Sequence, residues 1–181
     1  VEVFFDLGKY RKAVLWKNEL PSLPRDIDQE TKFSLQLNEP VVSENKKLAL
    51  ELKLPRNSSY YALLGVEFVP NQTSELLVNI KLNDSNGPSY NSEIELHEEI
   101  FSGIPSEYAN SIIKSAKEKL LESNWQYAGN LTFVIGAHSL VGSSDAIFSK
   151  VTKTLLALLS MDLSLTSSLS DESVICSELD K

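Results

Sequence analysis

In the first hundred residues apolar side chains recur at every second position. The pattern is clearest at Leu48, Leu50, Leu52 and Leu54, with Lys47, Glu51 and Lys53 between them. Beyond Gly103 they recur every third or fourth residue: Tyr108, Ile112, Ile113, Ala116, Leu120 and Leu121, then Ile147, Phe148, Val151, Leu155 and Leu159. The first period belongs to a strand with one buried face, the second to a helix with one buried stripe. A run of strands followed by strand, helix, strand, helix predicts an α+β fold. It is mainly an antiparallel sheet with two helices on one face.

The punctuation places the elements. Val1 to Leu7 and Tyr10 to Trp16 flank Gly8 and read as a hairpin. Pro21 and Pro24 break the chain, Asp26 to Glu30 is polar loop, and Phe33, Leu35 and Leu37 alternate in the next strand. A turn is expected over Arg56 to Ser59, and strands over Tyr61 to Val69, Leu76 to Leu82, Ser92 to Ile100 and Leu131 to Ile135. Between them stand the turns at Pro70-Asn71-Gln72 and at Asn83 to Pro88. Pro105 opens the first helix, where its missing N–H costs nothing, with Lys114, Lys117, Glu118 and Lys119 on the wet side. Ser143 and Ser144 are N-cap candidates for the second helix, from Asp145. The expected divisions are an N-terminal β extension over 1–60, a core over 61–160, and a Ser-rich acidic tail over 161–181. That tail reads either as frayed or as a last strand.

At 181 residues with 42% hydrophobic and 23% charged side chains, the chain can bury one core. Its formal charge of −8 argues against DNA binding through bulk charge. The densest basic group, Lys9, Arg11, Lys12 and Lys17, reads as a solvated strand or turn. No apolar run reaches the about 20 residues of a membrane helix. The opening Val1 to Asp6 lacks a basic leader and is not a signal peptide as written. A single cysteine, Cys176, allows no intrachain disulfide, which suits a reducing, cytoplasmic location. Acids around Cys176 make it a poor nucleophile. Asn-x-Ser/Thr triplets begin at Asn57, Asn71, Asn83 and Asn130, of which an Asn- and Ser-rich chain produces about two by chance, so they are a weak glycosylation signal. Trp16 and Trp125 read as core or rim residues.

Two constellations carry candidate chemistry. Glu93, Glu95, His97 and Glu99 alternate, so a strand there would set three carboxylates and an imidazole on one face. Such a set could bind a divalent metal, but Ile94, Leu96 and Ile100 facing a core explain the pattern as a wet face, and no metal or cofactor is expected. His138 stands near Ser139, Ser143, Ser144 and Asp145 with no Gly-x-Ser-x-Gly elbow, so the serines are better read as caps than as nucleophiles.

From Tyr61 to Ser160 the chain resembles domain IV of the translation elongation factor G family. Gly103-Ile104-Pro105-Ser106-Glu107-Tyr108 is similar to that family's Gly-x-Ile-Pro-x-Glu-Tyr helix opening, one residue shorter. Gly136-Ala137-His138-Ser139-Leu140-Val141-Gly142-Ser143-Ser144-Asp145 is similar to its Gly-Ser-Tyr-His-Asp-Val-Asp-Ser-Ser-Glu segment. The resemblance implies a left-handed βαβ crossover and a tip loop that meets the ribosome. In this register Ser139 replaces the tip histidine, with His138 one place early, and Leu140 and Gly142 replace acids. The family's glycine-rich loop has no counterpart, and no Gly-x-x-x-x-Gly-Lys-Ser/Thr is present, so GTP is neither bound nor hydrolysed.

The expected function is therefore a non-catalytic binding module whose partner is a protein or a ribosomal component. Its surface lies at Gly136, His138, Ser139, Gly142, Ser143 and Ser144. Two alternatives stay open: an enzyme using the His138 loop or the Glu93–Glu99 row, and an assembly protein pairing through its N-terminal strands.

Overall fold

The computed structural model describes residues 2–55, 60–161 and 167–181. The expected turn at Arg56 to Ser59, and with it the triplet at Asn57, lies outside the described residues. Strands β1 (Glu2–Gly8) and β2 (Arg11–Lys17) form the expected antiparallel hairpin, turned by Lys9 and Tyr10 at φ 55° and 64°. They are followed by β3 (Gln29–Gln36), β4 (Lys46–Lys53), β5 (Tyr61–Pro70), β6 (Glu75–Leu82), β7 (Ile100–Ser102) and β8 (Gly129–Ser139). The helices are α1 (Ala109–Glu122), entered through a 3-10 turn at Ser106–Tyr108, α2 (Asp145–Leu159) and α3 (Ser168–Leu179).

The eight strands form one sheet in the order β1-β2-β4-β5-β8-β6-β3, with β7 paired to β8. All neighbours are antiparallel except β6 and β8, which run parallel and are joined through β7 and α1. Strand β8 is central. Its first half lies beside β6 (Leu76↔Gly129 to Ile80↔Phe133), and its last three residues lie beside β7 (Ile100↔Ser139). The fold is thus α+β with a mostly antiparallel, mixed sheet, and three helices where two were expected.

Cross-strand partners share a face, which assigns the two sides of the sheet. Leu15, Leu50, Leu64, Val78 and Phe133 share one core with Ile112 and Ala116 of α1, Val151 and Leu155 of α2, and Ile175 of α3. The helices therefore cover a single face. The other face, expected to be wet, is covered over half its width. Val14, Trp16, Ala49, Tyr61, Leu63 and Ala137 form a second core beneath Leu20, Leu23, Tyr90, Ile94 and Leu96. Glu51 consequently lies buried, not on a solvated side.

Four further expectations are corrected. Residues 92–99 are not a strand but a coil strap lying over this second core, and β7 begins only at Ile100. Burial of Ile94 and Ile100 between exposed acids imitates strand alternation, because any extended segment on an apolar floor buries every second side chain. The polar loop expected to Glu30 ends earlier, since Gln29 and Glu30 already pair with Leu82 and Lys81. In α1, Leu121 leaves the apolar stripe and is 73% exposed, while Lys119 is buried.

From Ser167 on, the tail is a helix, neither frayed nor a strand. Ser167 caps α3 reciprocally with Ser170, and Asp171, Ile175 and Leu179, four residues apart, form its buried side. Three acids fasten it: Asp171 to Lys17 (2.8 Å), Glu178 to Lys119, and Asp180 to Arg11 (2.9 Å). Of the basic group, Arg11 and Lys17 are thus engaged with α3 and its C-cap instead of being solvated, Lys12 is held at 2.6 Å by Asp6, and Lys9 is exposed as expected.

Candidate functional site

The expected loop at Gly136 to Ser144 divides into two parts. Gly136, Ala137, His138 and Ser139 complete β8, four residues beyond its expected end, and only residues 140–144 are loop. Gly136 is required by crowding: a Cβ there would stand 2.5 Å from Ile104 Cγ1 and 2.9 Å from the Leu63 carbonyl oxygen. Gly103, at φ 112°, turns the entering chain so that its N–H donates to the Gly136 carbonyl at 2.7 Å. These contacts place the Gly103-Ile104-Pro105 helix opening against the end of β8.

His138 is 3% exposed. Its Nδ1 lies 2.9 Å from the Gly103 carbonyl oxygen, and its Nε2 faces the Asn86 side-chain amide at 3.2 Å. Burial holds its pKa below the ordinary value of 6.5, against an upward pull from the Gly103 carbonyl. The neutral ring donates one hydrogen bond, from Nδ1 to the Gly103 carbonyl, while the Asn86 side chain covers Nε2, so the ring braces the 83–88 turn and is closed to a substrate.

The serines pin the loop. Ser139 N–H donates to Ser143 Oγ (2.9 Å), and that hydroxyl donates to the Tyr61 carbonyl (2.6 Å). Gly142 N–H donates to Ser139 Oγ (3.0 Å), which donates onward to Glu98 (2.8 Å). The Gly142 carbonyl accepts from both Tyr60 N–H (2.6 Å) and Tyr61 N–H (3.1 Å). Ser144 is the N-cap of α2, its side chain accepting from Ile147 N–H. What this framework presents to solvent is Leu140 and Val141, 62% and 77% exposed. Of the two, Leu140 was read only as a replacement for an acid, and Val141 was given no role.

Glu93, Glu95, His97 and Glu99 are all exposed along the strap, but the segment is coil and its backbone serves other contacts. Lys53 Nζ reaches the Glu95 carbonyl (3.1 Å), Ser89 Oγ donates to Glu99 (2.6 Å), and His97 N–H donates to Tyr60 Oη (3.3 Å). Among the described residues no three His, Cys, Asp or Glu side chains gather in a metal-binding arrangement. No helix among them is long and apolar enough to cross a membrane.

Sequence reasoning missed the group beneath the strap. The Glu51 carboxylate accepts from Tyr61 Oη, while Glu51 Oε1 is buried with no hydrogen-bond partner. Burial pushes the Glu51 pKa up, more than the Tyr61 hydroxyl pulls it down. Burial also raises Tyr61 and Tyr90, with Glu51 adding to both. At the edge of this group a carboxyl hydrogen bond from Glu93 raises Glu2. The only hint in the sequence was an acid within a leucine alternation, which reads equally as a wet position.

Comparison with family models, curated proteins and solved structures returns no match.

Proposed function

We propose that this chain is a non-catalytic binding module that presents the Leu140–Val141 tip to a protein partner, ribosomal proteins included. The observation that carries this reading is the pairing of two well-exposed aliphatic side chains with a loop fixed at both ends by Ser139 and Ser143. A pre-ordered loop loses little conformational entropy on binding, so apolar area buried at its tip goes largely into affinity. Support also comes from β6 and β8, parallel neighbours joined through α1, which is the kind of βαβ unit that the elongation factor G domain IV resemblance implies. A left-handed course for that unit, and a ribosomal partner, belong to the proposal.

The test replaces Leu140 and Val141 together by serine. Both are exposed, so the unfolding midpoint stays within about 0.5 kcal/mol of wild type. Photo-crosslinking from position 141 in the native cell identifies the partner. Purified partner then binds the double variant at least tenfold more weakly, since each lost side chain removes about 1 kcal/mol or more. Equal affinity of wild type and variant for the crosslinked partner overturns the reading.

A further inference from the structure

The β1–β2 turn, the end of β4, the start of α2 and the end of α3 line a cleft of about 240 Å³. Its walls bring together Lys9, Arg11 and Lys150, with Asp180 the only acid among its described lining residues, on a chain of formal charge −8. Its apolar part includes Leu54 and Leu179, both nearly buried. We infer that this cleft is a binding site for a small organic carboxylate, whose charged end takes the place of Asp180 on Arg11 and whose apolar body lies on Leu54 and Leu179.

Arg11 is built for this. Its side chain is 13% exposed, and two of its nitrogens are spent on backbone: Nε on the Gly8 carbonyl (3.3 Å) and Nη2 on the Leu7 carbonyl (3.2 Å). The guanidinium is therefore held in place before any ligand arrives, and the remaining Nη1 points at the one carboxylate present, Asp180 Oδ1 at 2.9 Å. Asp180 shows which chemistry the position accepts. It is also weakly held, because its own side chain is 58% exposed, and an ion pair open to water contributes little. A ligand carrying a carboxylate on an apolar body keeps the charge pairing and adds burial that Asp180 lacks. Lys150, which donates to the Leu179 carbonyl at 3.4 Å, and the exposed Lys9 supply further positive charge at the rim. The site shares no residue with the Leu140–Val141 tip and stands whether or not that tip binds a protein.

The experiment is calorimetric titration of the full chain with benzoate, benzamide and acetate at constant ionic strength, with amide chemical shifts of Leu54 and Leu179 recorded alongside. Benzoate binds saturably in the millimolar range or tighter and shifts both amides; benzamide, without the charge, and acetate, without the apolar body, bind at least fivefold more weakly. Asp180→Asn frees Nη1 at an exposed position and tightens benzoate about two- to fivefold, the size of a surface ion pair. Arg11→Gln abolishes binding; because it also loosens the β1–β2 turn, Lys150→Met serves as the second variant and weakens benzoate severalfold with the fold intact. Absence of saturable benzoate binding to both wild type and Asp180→Asn overturns the inference. So does benzamide binding as tightly as benzoate, or Asp180→Asn and Lys150→Met leaving the affinity unchanged.

Discussion

Replacing Glu51 by Gln separates the charge of this buried group from its shape. The carboxyl is wholly buried, one oxygen accepts from Tyr61 Oη and the other has no partner, so the native state favours the protonated form. The unfolded chain loses that proton near the ordinary value of 4.5, whereas the folded chain holds it to higher pH. A raised carboxyl pKa leaves stability untouched below the unfolded value and erodes it as pH rises toward the folded one. Within that window each pH unit removes about 1.4 kcal/mol. Gln keeps an acceptor for Tyr61 and cannot ionise. Its amide N–H, if left without an acceptor, adds a constant penalty of about 1–3 kcal/mol that does not vary with pH. Urea unfolding of both proteins at pH 4, 5, 6 and 7 therefore shows the variant gaining on wild type as pH rises from about 4.5. Subtracting one curve from the other cancels every other titrating group to first order. A difference that stays flat from pH 4 to 7 refutes the reasoning, and means that Glu51 is as well solvated folded as unfolded.

Three further outcomes follow from the packing. His138, neutral by burial, titrates below 6.5 when its ring carbon shifts are followed by NMR, and the fold loses stability as pH falls through that region, opposite in sign to Glu51; a midpoint at or above 6.5 contradicts this. Gly136→Ala destabilises by about 1–3 kcal/mol in denaturant titrations, because the Leu63 carbonyl cannot move away as a side chain could; a neutral effect shows the contact to be slack. Ile175→Ala in α3 costs about 2–5 kcal/mol by the same assay, as for a core residue; a loss below 0.5 kcal/mol would make α3 a loosely attached tail.

Wherever one side of an element meets the core and the other meets water, the element was legible in the sequence. The Phe33, Leu35 and Leu37 alternation, the α1 stripe and the Ser144 cap all have this form. The same logic failed where both sides are covered. Glu51 is buried by a strap whose hydrogen bonds to Lys53 and Tyr60 join residues 42 and 37 apart, which no local period records. Helix α3 was hidden for a different reason: its buried side is narrow and includes Asp171, and ion pairs with β2 and α1 join its apolar contacts in holding it. At the β8–α2 connection the serines were correctly suspected of being important, but burial assigns most of them to holding the loop. The exposed residues beside them, Leu140 and Val141, drew attention only through the family comparison.

The strand order bears on how the chain assembles as it is made. β5 and β6 are joined by only residues 71–74, a connection short enough to close a hairpin, yet in the finished sheet β8 lies between them. They must stand two strand spacings apart, roughly 9.5 Å, with the gap held for a segment that leaves the ribosome about fifty residues later. A nascent chain ending near residue 100 therefore has every local reason to zip β5 onto β6 in a pairing that the mature protein lacks. Completion requires that pairing to open and β8 to enter, accepting an antiparallel neighbour on one side and a parallel one on the other. Refolding should accordingly show a slow, denaturant-accelerated phase that shortens when residues 71–74 are lengthened by glycines, since a slack connection no longer favours the premature hairpin.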